Sequence, residues 1–343
     1  MGNPAVDAAM RHTLPMKIGP ALIGFGLLTV LYVGALVYVD RQNHIFEHGV
    51  DLATLLPQVA VFALVSYILR YVRWRWLLGR RGFQIRWVVG ILAYVAGFAL
   101  TASPGKVGEL VRIRYFGAMG VPADQVIACF VFERMLDLVA VLLLSILLAG
   151  IAHGVVVAIV FVAVVIIGVV ILSRSATLWI SLAQWLREVR WHGSARLSLA
   201  IGQGLTGAMS FFRPREFTVS MALGLAAWAI QSLGCVYLLA KLGIVVPPLA
   251  AFALYPLALL VGAASMLPGG IGTTEAAIVV LLYSFGVPLE GATLAAIGMR
   301  LSTLWFAIAL GFLAIPILEF VSWKADTQHD AAAEGKSPAA TDS

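Results

Sequence analysis

Charged residues are scarce in this 343-residue sequence. Asp, Glu, Lys and Arg make up 12% of it, whereas an ordinary soluble domain carries roughly a quarter. Hydrophobic residues make up 61%, which is more apolar surface than a soluble core of this length can bury. The scarcity of charge excludes a soluble enzyme and a conventional nucleic-acid-binding protein. It predicts a protein that spans a membrane several times.

Cysteine and histidine patterns give no sign of a disulfide framework or a metal site. Cys129 and Cys235 each lie inside an apolar segment, and their spacing does not suit a metal ion. Of the six histidines, His44 and His48 are close to each other, but they flank an acidic residue in a predicted loop. No nucleophile elbow, P-loop or HExxH motif occurs. We therefore predict no metal, no cofactor and no enzymatic activity.

Apolar runs of the length of a transmembrane helix recur along the whole chain. The predicted spans are 18–39, 52–69, 87–103, 124–150, 154–172, 217–240, 247–267 and 289–319. They predict an all-α polytopic membrane protein of about eight transmembrane helices, in one domain over 18–320. The polar residues 321–343 are predicted to form a disordered tail.

Basic residues in short loops predict the orientation in the membrane. Arg11 and Lys17 precede the first span, so the N-terminus at 1–17 is predicted to be cytoplasmic. Six arginines between the second and third spans predict a second cytoplasmic segment: Arg70, Arg73, Arg75, Arg80, Arg81 and Arg86.

The connection 174–215 gives conflicting signals. Eight full crossings would place it outside the cell, yet it carries six arginines against one acidic residue. Trp179, Trp185 and Trp191 recur at a six-residue spacing, which favours a helix at the level of the head groups. An ordinary loop is the alternative, and the side of the membrane on which this connection lies stays open.

An internal repeat relates two parts of the chain. PGKVGE at 104–109 matches PGGIGTTE at 268–275, so that Glu109 and Glu275 correspond at an offset of 166 residues. The same offset relates further residues: Gly120-Val121-Pro122 to Gly286-Val287-Pro288, Asp124 to Glu290, and Arg134 to Arg300. These matches predict a duplication with units around 87–150 and 247–319, either inverted or parallel.

Each repeat unit contains a break that a helix cannot cross. The residues that form the breaks are Pro104, Gly105 and Gly108 in the first unit, and Pro268, Gly269, Gly270 and Gly272 in the second. A short apolar helix, about half the thickness of the hydrocarbon layer, follows each break. The pattern predicts two re-entrant helical hairpins, which in transporters mark the binding site. Two ordinary interfacial loops are the alternative.

Several ionisable residues lie within predicted spans, where each costs about 2.5–3.5 kcal/mol on the insertion scale. Glu133, Arg134 and Asp137 share one helix face, and Arg300 is the counterpart of Arg134 in the second unit. Guanidinium groups suit phosphate oxygens, so we predict that Arg134 and Arg300 bind an anionic head group. Glu133 and Asp137 would act electrostatically on the Arg134 guanidinium, or one of them would carry a coupling proton. A purely structural network of ion pairs is the alternative.

Three motifs together resemble the lysylphosphatidylglycerol synthase transmembrane domain, the flippase half of the bacterial multiple peptide resistance factor and its free-standing relatives. They are PGKVGELVR at 104–112, FERMLDL at 132–138 and LPGGIGTTE at 267–275, and the resemblance covers about 18–320. An Asn expected before the first motif is represented only by Thr101 and Ser103.

The resemblance implies a bacterial inner-membrane protein that moves a lipid between leaflets. It implies functional roles for Glu109, Arg112, Glu133, Arg134, Asp137 and Glu275. No soluble aminoacyl-transferring half accompanies these spans in the sequence, so lysyl-lipid synthesis is not expected.

The predicted function is that of a flippase or transporter for an anionic lipid, of phospho- or polyprenyl type. Two alternatives stay open: an intramembrane enzyme that uses Glu133 and Asp137 on a lipid carrier, and a membrane scaffold or accessory subunit. The predicted partner is a membrane lipid and not a nucleic acid. A homo-oligomer or a partner in lipid synthesis is compatible with the same sequence.

Overall fold

The computed structural model describes residues 49–146, 154–188 and 192–334, together with Gly34. Helices fill most of these segments, and no strand occurs within them. The all-α fold class is therefore confirmed for the described part of the chain. The predicted N-terminal segment 1–17 lies outside the described residues, as does the predicted span 18–39 apart from Gly34.

The described helices are named in chain order. The α-helices are α1 (Gly49–Arg80), α2 (Trp87–Ala96), α3 (Arg112–Ala118), α4 (Ala123–Ser145), α5 (Gly154–Arg174), α6 (Ala176–Glu188), α7 (His192–Met209), α8 (Pro214–Lys241), α9 (Pro248–Ala264), α10 (Thr273–Ser284), α11 (Leu289–Arg300) and α12 (Phe306–Glu334). Short 3₁₀ segments occur at Gly97–Leu100, Pro104–Val111 and Pro268–Gly270, and a π-helical segment at Leu301–Trp305 joins α11 to α12.

The long helices α1 and α8 lie antiparallel and define two ends of the helix bundle. Arg80, the last residue of α1, contacts Glu216 near the start of α8 at 2.8 Å. Near the opposite end of the pair, the Tyr237 hydroxyl of α8 donates a hydrogen bond to Gln58 of α1. We call these the Arg80 end and the Lys241 end.

The chain between 87 and 118 forms a helical hairpin, hairpin 1, that enters from the Arg80 end. Its entry is held by Arg75 of α1, whose Nε donates to the Ile85 carbonyl at 3.0 Å. After the break the chain runs back along α2, because Arg112 Nε donates to the Tyr94 carbonyl at 2.9 Å. Hairpin 1 returns to the Arg80 end, where Arg114 of α3 pairs at 2.9 Å with Glu319 of α12.

The chain between 248 and 284 forms hairpin 2, which enters from the Lys241 end. Its two arms, α9 and α10, meet beside the break, where the hydroxyls of Ser265 and Thr273 lie 3.0 Å apart. Further out, Leu254 and Leu282 belong to one apolar cluster with Leu239, near the end of α8. Both outer ends of hairpin 2 are therefore at the Lys241 end.

The tips of the two hairpins meet inside the bundle. Gly269, in the break of hairpin 2, adopts a φ of 62°, and a side chain there would come within 3.2 Å of the Ala102 Cα. This close approach suits glycine, which has no Cβ. The two segments are arms of hairpins, because the chain turns back at each break, and the structure does not confirm the predicted full crossings at 87–103 and 247–267.

The turns that follow the two short helices have the same local geometry. Gly120 and Gly286 both have a φ of 81°. The next residue, Val121 or Val287, donates its backbone N–H to the carbonyl five residues earlier, at 3.0 and 3.2 Å respectively. This αL glycine ends each helix in the same way. The duplication of the chain itself stays a prediction.

The connection 174–215 lies at the Arg80 end. Thr206 of α7 donates to the Ser173 carbonyl at the end of α5 at 2.9 Å, and Arg81 donates to the Gly207 carbonyl at 3.0 Å. Because hairpin 1 returns to the Arg80 end, this connection and the loop 81–86 lie at the same end of the bundle. Trp191 lies outside the described residues.

Three described helices are long and apolar enough to span a membrane: Thr54–Arg80, Pro214–Lys241 and Leu289–Phe320. Ile159–Arg174 and Ala176–Glu188, bent by 71° relative to each other, would make a fourth. The described residues thus do not confirm the predicted eight spans. The last helix continues to Glu334, into the segment predicted to be a disordered tail, and 335–343 lie outside the described residues.

The opposite entry of the two hairpins predicts a pattern of labelling for single cysteines. Cysteines that replace Gln84, Ala118 and Thr177, all exposed at the Arg80 end, should react with a membrane-impermeant maleimide from the same side. Cysteines that replace Val245 and Ser284, at the Lys241 end, should react only from the other side.

The background for this labelling is a variant in which the buried Cys129 and Cys235 are replaced by alanine. Labelling of positions 84 and 118 from opposite sides would show that hairpin 1 crosses the membrane, and would contradict the topology.

Candidate functional site

A cavity of about 70 Å³ lies where the tips of the hairpins meet. Both hairpins, α1, α8 and the α11–α12 junction contribute to its wall. The lining residues are Tyr67, Arg70, Phe98, Thr101, Lys106, Glu109, Trp228, Gln231, Tyr255, Leu259, Gly269, Arg300, Thr303, Leu304 and Ala307. Three of these side chains are cationic and one is a carboxylate, so the wall has a positive excess.

Arg300 binds the break of hairpin 2. Its Nε contacts Glu275 Oε1 at 2.8 Å, and its Nη2 donates to the Gly269 carbonyl at 2.7 Å. The second oxygen of Glu275 accepts the Gly272 N–H at 2.8 Å. Arg300 has no acidic residue nearby in the sequence, and the tertiary structure supplies one. The two residues satisfy backbone groups that the break would otherwise leave without partners.

Arg73 is the centre of the charge network in the first half. Its Nη2 donates to Glu133 Oε1 at 2.8 Å and to Asp137 Oδ1 at 2.7 Å, and its side chain is fully buried. Arg70, one turn earlier on α1, donates to Asp137 Oδ2 at 3.3 Å and to Gln231 of α8 at 3.4 Å. Asp137 therefore links an internal ion pair to an arginine of the cavity wall.

Glu109 and Arg112 connect hairpin 1 to this network. Arg112 Nη2 lies 3.0 Å from Glu109 Oε2, and its guanidinium stacks 3.8 Å from the centre of the Tyr94 ring. The Tyr94 hydroxyl donates to Glu133 Oε1 at 2.7 Å. Thr101 donates to Glu109 Oε1 at 2.7 Å. Stacking and hydrogen bonds thus fix the returning arm of hairpin 1.

Ser103 and Thr101, the residues in place of an expected Asn, both support the break. The Ser103 hydroxyl accepts the Gly108 N–H at 2.6 Å, while Thr101 binds Glu109. Two small hydroxyl side chains thereby make hydrogen bonds within hairpin 1.

Arg134 is placed differently from its counterpart Arg300. Its Nη2 contacts Asp137 Oδ2 at 3.1 Å, its side chain is 18% exposed, and it does not belong to the cavity lining. The predicted pair of head-group arginines is therefore not brought together at one surface. Asp137 Oδ2 contacts both Arg134 and Arg70, so this carboxylate links Arg134 to an arginine of the cavity wall.

The sequence analysis did not identify Arg70 and Arg73 as site residues. It predicted that both lie in a cytoplasmic segment. The structure places both inside α1, with 4% and 0% of their surface exposed. Ser66, Arg70, Arg73 and Leu77 recur at spacings of three and four residues and are all buried, which is the signal that identifies one helix face. The helix continues beyond the apolar run because its arginines have internal carboxylate partners.

The α11–α12 junction adds hydroxyl groups to the cavity wall. Tyr67 donates to the Thr303 carbonyl at 2.8 Å, and Tyr255 donates to the Thr303 hydroxyl at 2.9 Å. Thr303 lies in the π-helical segment Leu301–Trp305. Such segments are rare and often occur at functional sites.

The network and the cavity wall carry an excess of positive charge. In the part of the chain that the structure describes, they contain six cations and four carboxylates: Arg70, Arg73, Lys106, Arg112, Arg134 and Arg300 against Glu109, Glu133, Asp137 and Glu275. Two positive charges are therefore unmatched within the group. The arrangement can receive an anion.

These features define a helical membrane protein with a charged site buried between two hairpins. A family model described as "Lysylphosphatidylglycerol synthase TM region" matches residues 22–311, and the chain belongs to this family. A search of curated proteins and a search of solved structures each found no match. Membership in the family is consistent with a lipid-related function in the membrane.

The charge network predicts unequal effects when its arginines are neutralised. Arg73→Gln leaves two buried carboxylates without their shared partner and should destabilise the protein by about 3–5 kcal/mol. Arg134→Gln removes a partly exposed guanidinium and should cost clearly less, because Asp137 keeps Arg73 and Arg70. Thermal unfolding of both variants in the same detergent measures the difference. Equal losses of stability would contradict the central position of Arg73.

Proposed function

We propose that the protein moves an anionic lipid between the leaflets of the bacterial inner membrane. One observation supports this most strongly: Arg70, Lys106 and Arg300 line a cavity at the meeting point of two hairpins that enter from opposite ends. In many transporters the binding site likewise lies between broken helices of two repeats.

In a bilayer, hairpins 1 and 2 are re-entrant and their breaks lie near the midplane. Non-helical backbone at that depth is tolerated only where protein buries it or where it lines a wet cavity. Both conditions are met, since Arg300 and Ser103 bind backbone groups of the breaks beside the cavity. The breaks act as the two gates, and the head group passes between them while the acyl chains stay in lipid.

The proposed head-group ligands are Arg300, Arg70 and Lys106. The sequence alone paired Arg300 with Arg134. Arg134 now acts through Asp137, which it shares with Arg70, and is a positioning residue. Guanidinium groups provide donor forks for two phosphate oxygens, and the ammonium provides a point charge.

The distribution of arginines supports an orientation. The loop 81–86 and the connection 174–215 both lie at the Arg80 end and are rich in arginine, which favours the cytoplasmic side for this end. α1 then begins on the outer side.

An intramembrane enzyme is less well supported. Glu133 and Asp137, its proposed acid and base, both bind Arg73, and Glu133 also accepts the Tyr94 hydroxyl. A catalytic carboxyl group would first have to leave this network. The enzyme and the transporter differ in their product, since only the enzyme alters the lipid chemically.

Neutralising Arg300 should strongly reduce lipid movement without unfolding the protein. The test variant is Arg300→Gln with Glu275→Gln, which removes both members of a buried pair, so that neither is left without its partner. Flipping of fluorescent anionic lipids in proteoliposomes should fall about tenfold or more, since hydrogen bonds to charged groups contribute about 1.5–3 kcal/mol.

The matched control for this assay is Arg215→Gln, which removes an exposed arginine at the Arg80 end and should flip lipid normally. Full flipping activity in the folded double variant would overturn the proposed role of the cavity.

Lipids that copurify with the protein should separate the alternatives. Mass spectrometry should find one anionic lipid class enriched in the wild type and lost from the double variant, because the cavity wall selects negative charge. A chemically altered lipid would support the enzyme, and bulk membrane lipid in both samples would support the scaffold.

A further inference from the structure

We infer that the head group recognised by this site is a phosphate monoester, as carried by a lipid monophosphate. The inference rests on the proposed function and goes beyond it by naming the chemistry of the substrate. Charge balance and the position of Lys106, whose backbone is strained, in the cavity wall support it.

Charge balance favours a dianion over a monoanion. The network and the cavity wall have two positive charges more than carboxylates, and most of these side chains are buried. Buried charge is costly unless it is compensated. A phosphate monoester carries about −1.5 to −2 at pH 7 and compensates both charges, whereas a phosphodiester carries about −1 and leaves one unmatched.

The cavity has room for a phosphate group. Its volume of about 70 Å³ holds several water molecules, or one phosphate group in their place. Glu109 is the carboxylate in the cavity wall and would repel an anion. Arg112 compensates its negative charge, and Thr101 donates a hydrogen bond to it, so the repulsion is reduced.

Lys106 combines a strained backbone with a place in the cavity wall, whereas Met266, with a similar φ of 55°, is exposed and does not line the cavity. The φ of Lys106 is 58°, in the left-handed region that lysine rarely adopts. In the second motif, the residue at the corresponding place after Pro-Gly is Gly270, with a φ of 63°. Glycine adopts this conformation without strain, so lysine here costs stability. Strained residues concentrate at functional sites, and Lys106 brings the ammonium group to the cavity.

Binding to the full-length protein in detergent tests the inference directly. The probes are a short-chain lipid monophosphate, a phosphodiester lipid with the same chains, and inorganic phosphate. The monophosphate should bind at least about tenfold more tightly than the diester. Its affinity should fall below pH of about 6, where the monoester takes up a proton, while that of the diester should not change.

Lys106→Gly separates binding from folding. It should raise the unfolding temperature of the free protein, because strain is relieved, and weaken monophosphate binding about tenfold. Lys106→Ala should weaken binding equally without raising the unfolding temperature, because alanine keeps the strain. Unchanged affinity in both variants would overturn the role of Lys106.

The remaining outcomes distinguish this inference from the proposed function. If the diester binds as tightly and is flipped in an Arg300-dependent manner, the monoester inference is wrong and the flippase stands. If inorganic phosphate binds as tightly as the lipid monophosphate and no lipid is flipped, the site recognises a dianionic phosphate group, while the lipid source and the proposed function both fail.

Discussion

The ion pair of Arg73 with Glu133 and Asp137 is the interaction on which the rest of the structure depends. It joins α1 to α4 in a region where water is not available to solvate charge. Removal of either side would leave buried charge without compensation. Because Asp137 also holds Arg70, the same contact that ties two helices together positions a cation in the cavity wall.

A second constraint acts at the helix breaks. Each break exposes backbone groups that need partners within the protein. Arg300 and Glu275 supply them in hairpin 2, and the Ser103 hydroxyl supplies one in hairpin 1. The residues that allow the chain to turn back inside the bundle thus lie beside the proposed binding site. One of them, Arg300, also lines the cavity.

The two hairpins also decide how charge is distributed between the ends of the bundle. When a hairpin enters and returns at one end of the bundle, the chain that follows starts from that same end. The arginine-rich connections 81–86 and 174–215 therefore lie at the same end, as Arg81 and Gly207 show directly by their contact. A span count from hydropathy cannot detect this, because an arm of a hairpin is as apolar as a crossing helix.

The sequence by itself determined the membrane class, the family motifs, the positions of the breaks and the shared helix face of Glu133, Arg134 and Asp137. These features depend on composition and on residues a few positions apart. Only the tertiary structure decided that Arg73 is buried against Glu133, that Glu275 pairs with Arg300 and that Ala102 meets Gly269. These contacts join residues that are distant in the sequence, and local periodicity carries no information about which distant partner neutralises a buried charge.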